Sequence, residues 1–85
     1  MDAETWNETI RQMRDADQRS QRMMALSTAL APLAAEARAL GADQLAAQLD
    51  QIRTDTFHLA ALAQDHAGEL ARRLEGARDA REEPD

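Results

Sequence analysis

The feature that most constrains this sequence is a run of alternating three- and four-residue steps between residues 43 and 77. Side chains at that spacing lie on one stripe of a helix, and the spacing is the period of a coiled-coil seam. Thr56, His66 and Arg73 occupy three of the ten positions. The other seven are apolar: Leu45, Leu49, Ile52, Leu59, Ala63, Leu70 and Ala77. The pattern predicts one long amphipathic helix over about 43–77.

The preceding part of the chain predicts a first long helix over about 3–40, with Asp2 or Thr5 as its N-cap. Gly41 suits the left-handed conformation that commonly follows a helix end, so a turn is expected at residues 41–42. Pro32 removes one backbone hydrogen bond inside the first helix. The helix therefore either kinks near Pro32 or splits there, and a kink is preferred because no capping residue immediately precedes the proline.

A turn at this place makes the two helices antiparallel and fixes which residues face each other. Three of the facing pairs are Ser27 with Thr56, Ser20 with Ala63, and Asp17 with His66. Small residues meet in the middle, and Asp17 and His66 are expected to form a structural polar pair. The stripe predicted for the first helix is Trp6, Met13, Ala16, Ser20, Met23, Ser27, Leu30, Ala34 and Ala37.

The predicted fold class is therefore all-α, an antiparallel helical hairpin about 50 Å long. The hairpin forms a single domain over residues 1–77, and residues 78–85 are expected to be a charged flexible tail. Nineteen alanines and the absence of valine favour helices over strands. A chain of 85 residues buries only a small core, so a partner or a second copy is a reasonable expectation.

The half of the hairpin near the turn is predicted to be buried against another chain. Between Met23 and Leu49 the only charged residues are Glu36, Arg38 and Asp43, so this half lacks the ion-rich outer face of a solvated helix. The predicted partner-binding residues are Met23, Leu26, Leu30, Leu33, Phe57 and Leu62. The expected partner is a second copy, giving a dimeric four-helix bundle, or a larger protein. The alternative is an alanine-rich helix pair with a neutral surface.

Composition excludes several functions. The net charge of −6 argues against nucleic-acid binding, which needs a basic surface to neutralise phosphates. No cysteine is present for disulfides or thiolate chemistry. The longest uncharged run, 23–35, is too short to span a bilayer, and no signal peptide is visible. A cytoplasmic protein is expected, and secretion without a signal peptide stays open.

No catalytic, cofactor-binding or metal site is predicted, and no enzymatic activity is expected. His58 and His66 are the only histidines, with Asp55 three residues before the first and Glu69 three residues after the second. These two units lie on separate faces of the helix, whereas a metal-binding bundle needs such groups to converge from facing helices. A metal-binding helical bundle is therefore the least favoured function.

The favoured function is a non-enzymatic protein-interaction module: an adaptor, a regulator or a small chaperone that acts through apolar helix faces. The alternative is a small substrate or accessory factor of a bacterial secretion system. In outline the hairpin is similar to the secreted WXG100 class, to needle and co-chaperone subunits of type III secretion, and to the dimeric Rop bundle. The turn Leu40-Gly41-Ala42 departs from the Trp-x-Gly of the WXG100 class, and tyrosine is absent, so no family is recognised.

Overall fold

The computed structural model describes residues 1–82 as two helices, α1 (Ala3–Ala39) and α2 (Asp43–Glu82). They pack side by side as an antiparallel hairpin measuring 70 × 17 × 13 Å. The predicted all-α helical hairpin is confirmed. α2 continues past the expected end at Ala77 because the segment that follows consists of good helix formers such as Ala, Arg and Glu. The part of the predicted tail at residues 83–85 lies outside the described residues.

The start and the middle of α1 follow from single residues. Asp2 is the N-cap, and its side chain accepts a hydrogen bond from the Thr5 backbone N–H at 2.7 Å. This bond favours the charged carboxylate and so lowers the pKa of Asp2.

α1 runs through Pro32 as one helix, so the alternative of two separate helices is wrong. Pro32 and Thr28, whose carbonyl loses its donor, are both exposed, and water can compensate part of the loss.

The turn closes through a Schellman motif. Gly41 has φ +79°, a conformation that costs a glycine little because it has no Cβ. Its N–H donates to the Arg38 carbonyl at 3.0 Å, and the Ala42 N–H donates to the Ala37 carbonyl at 2.9 Å. These two bonds satisfy carbonyls at the end of α1 and hold the reversal of the chain. Asp43 begins α2 as an acidic residue of its first turn.

Small side chains form most of the contact between the helices. The buried residues of α1 are Thr9, Ala16, Ser20, Ser27, Ala34 and Ala37. All except Thr9 belong to the stripe that the sequence predicts for this helix. On α2 the buried residues are Ala46, Ala60, Ala67, Leu70 and Leu74. The core of the hairpin is therefore a thin seam of mostly alanine and serine. Among the described residues that are buried, the largest are Leu70 and Leu74, toward the open end.

The seam predicted for α2 is wrong at every second position. Leu45, Ile52 and Leu59 were expected to face α1, but each is about half exposed. The residues that follow the first and last of them, Ala46 and Ala60, are buried instead, at 1% and 0% exposure. The distance between two packed helices depends on the side chains at their contact. Because α1 presents alanine and serine, the helices approach closely, and alanine fits where leucine would hold them apart.

Two hydrogen bonds between a side chain and the opposite backbone confirm this close approach. Ser20 Oγ donates to the Ala60 carbonyl at 2.9 Å, and Ser27 Oγ donates to the Arg53 carbonyl at 3.2 Å. A serine hydroxyl is short, so it reaches the other helix only where the two backbones are nearly in contact. Helix carbonyls point toward the C-terminus of their helix, which is the direction of Ala63 for the first bond and of Thr56 for the second. The bonds therefore agree, within one turn, with the predicted facing of Ser20 with Ala63 and of Ser27 with Thr56.

Candidate protein-interaction surface

Six large apolar side chains are exposed in the half of the hairpin near the turn, and the three on α2 are exposed because of the orientation of that helix. In each helix they stand seven residues apart, a spacing that keeps them on one side of the helix. Their exposed fractions lie between 50% and 80%. We call this set the leucine face, and it consists of Leu26, Leu33 and Leu40 of α1 and Leu45, Ile52 and Leu59 of α2.

The contacts at the open end show that the leucine-face residues of α1 and those of α2 lie on the same side of the hairpin. One step of seven before Leu26 is Arg19, and one step of seven after Leu59 is His66. Arg19 and His66 line one shallow groove together with Gln12, Asp15 and Ala16. Residues seven apart are only about 20° apart around a helix. The leucines that continue these two series therefore point to the same side as the groove.

The opposite side of the hairpin has a different character. Near the turn it is crossed by a salt bridge between Arg38 and Asp50. Farther along, Met24 and Phe57 line an open groove of about 460 Å³ with Ser27, Thr28, Ala31, Arg53 and Thr54. Phe57 is the one large apolar residue in this lining that is about half exposed. This side combines ionic, hydroxyl and apolar groups, whereas the leucine face consists of large apolar side chains, with the exposed Glu36, Gln48 and Asp55 at its outer edges.

The structure does not bring Asp17 and His66 together as the sequence predicted. The Asp17 carboxylate accepts a hydrogen bond from Gln21 at 3.1 Å and lines a groove with Gln64 and Ala67, among other residues. His66 lies in the groove with Asp15 and Arg19, on the other flank of the seam. The reason is the orientation of α2, which places Ala67 in the seam and moves its neighbour His66 to the side of the leucine face.

The six residues predicted to bind a partner take four kinds of position. Leu26 and Leu33 belong to the leucine face. Met23 and Leu30 are half-buried. Each lies three residues before one of those two leucines, which places it at the inner edge of the leucine face, next to the seam. Leu62 is exposed three residues after Leu59, at the outer edge. Phe57 lies on the opposite side.

The sequence analysis missed four members of the leucine face, namely Leu40, Leu45, Ile52 and Leu59. Three of them were assigned to the seam. A signal existed in the sequence: alanines at residues 46, 60 and 67 repeat the same heptad one residue later. Two stripes were therefore available on α2, one of large and one of small residues, and only the large one was considered.

Several charged groups of the hairpin form ion pairs with neighbours on the same helix. Arg11 with Glu8 at 3.2 Å and Arg73 with Glu69 at 3.1 Å are ion pairs within one helix, and their side chains are largely exposed. Within residues 1–82, no group of three or more potential metal ligands is placed to hold an ion. Neither helix has a stretch in its described residues that is apolar enough to cross a membrane.

The fold and the exposed apolar residues assign the chain to a structural class, that of two-helix antiparallel hairpins with an apolar face. Comparison of the chain with protein-family profiles, curated proteins and solved structures found no match.

Proposed function

We propose that this chain is a non-enzymatic protein-interaction module that pairs with a second copy of itself through the leucine face. Two hairpins joined in this way form a four-helix bundle. The observation that carries the proposal is the exposure of six large apolar side chains on one side of a hairpin whose own seam consists mainly of alanine and serine. Such a face is costly in water, because burying a leucine side chain contributes about 1.5–3 kcal/mol.

The size of the leucine face fits a small interface. From Leu26 to Leu40 the face extends over 14 residues, or about 21 Å. With the 17 Å width of the hairpin its projected area is about 350 Å², within the ~300–600 Å² typical of the largest patch on a monomer. A stable complex buries about 800 Å² per partner. The contact must therefore extend beyond the leucine face, toward Met23 and Leu62, which lie three residues beyond Leu26 and Leu59 in the direction of the open end.

Sedimentation equilibrium of the full chain at micromolar concentration tests the proposal. We expect a mass near twice 9.4 kDa. Leu33→Glu places a charge in the centre of the leucine face and is expected to yield a folded monomer. Phe57→Glu is the matched control, because Phe57 is about equally exposed but lies on the opposite side.

Circular dichroism tests whether both variants keep the helix content of the wild type. A monomeric wild-type chain would refute the proposal. A dimer that survives Leu33→Glu but dissociates with Phe57→Glu would refute the choice of face.

A further inference from the structure

We draw no further inference here: the strongest candidate, the leucine face in the half of the hairpin near the turn, is an unpartnered apolar surface, and nothing in the structure shows what covers it.

Discussion

Replacing Ala60 by leucine tests the central packing feature of the hairpin. Ala60 is completely buried, and its carbonyl accepts the hydrogen bond of Ser20 at 2.9 Å. A leucine there must push the helices apart, and overpacking costs about 1–3 kcal/mol. The same separation breaks the Ser20 hydrogen bond, which contributes about 0.5–1.5 kcal/mol. We therefore expect Ala60→Leu to lower the free energy of unfolding by about 2–4 kcal/mol.

Such a loss is large for this chain, since domains have about 0.05–0.15 kcal/mol of stability per residue. Thermal unfolding followed by circular dichroism should show a midpoint lower by about 10–25 °C. All proteins must be compared at one concentration because the proposed self-association would raise the apparent stability. The matched control is Ala61→Leu, at the next residue, which is exposed and should change the free energy of unfolding by no more than about 0.5 kcal/mol.

The alternative orientation of α2, with Leu59 in the seam, makes the opposite prediction. In that orientation residue 60 lies at the side of the contact, and a leucine there meets no obstacle. An Ala60→Leu variant as stable as the wild type would therefore refute the packing described above.

Three further predictions follow from other local features. Ser20→Ala removes the hydroxyl that bonds the Ala60 carbonyl, which keeps its hydrogen bond within α2, and should lower the free energy of unfolding in urea by about 0.5–1.5 kcal/mol; an unchanged midpoint would contradict the hydrogen bond. Pro32→Ala restores a donor inside α1 and should raise the free energy of unfolding by up to about 3 kcal/mol; no increase would mean that the surrounding packing requires the proline. The lowered pKa of Asp2 predicts a carboxyl titration by NMR with its midpoint below 3.8. The contribution of this cap is complete above 3.8 and lost as pH falls through the lower folded value, and Asp2→Asn should abolish that dependence.

The sequence was sufficient to predict the hairpin and the stripe of α1, and these predictions rested on local signals. Gly41 is the one clear break in the body of the chain, and the turn forms there with the left-handed geometry expected of it. On α1 the predicted heptad stripe already contained the small residues Ala16, Ser20 and Ser27, although Leu26, Leu33 and Leu40 form a second series with the same period. Antiparallel pairing then followed from the shortness of the turn.

The orientation of α2 could not be obtained in the same way. Leu45, Ile52 and Leu59 form one stripe, and the small residues beside them form another with the same period. Judged by hydrophobicity alone, the stripe of large residues on α2 belongs in the seam. That stripe includes His66, and this is why the sequence predicts a pair between His66 and Asp17. The deciding factor is the shape of the opposite helix, whose serine hydroxyls reach backbone carbonyls only at close range. That factor belongs to two helices together and is not visible in either one.

The narrow seam and the leucine face are consequences of the same packing. If α2 turned to bury Leu45, Ile52 and Leu59 against α1, the helices would separate and both serine hydrogen bonds would be lost. The same rotation would remove half of the leucine face from the surface. Each interhelical serine bond thus favours an α2 orientation that keeps these side chains available to a partner. Under the proposed self-association, stability of the hairpin and affinity for the second copy are coupled, because a change that widens the seam also depletes the contact surface.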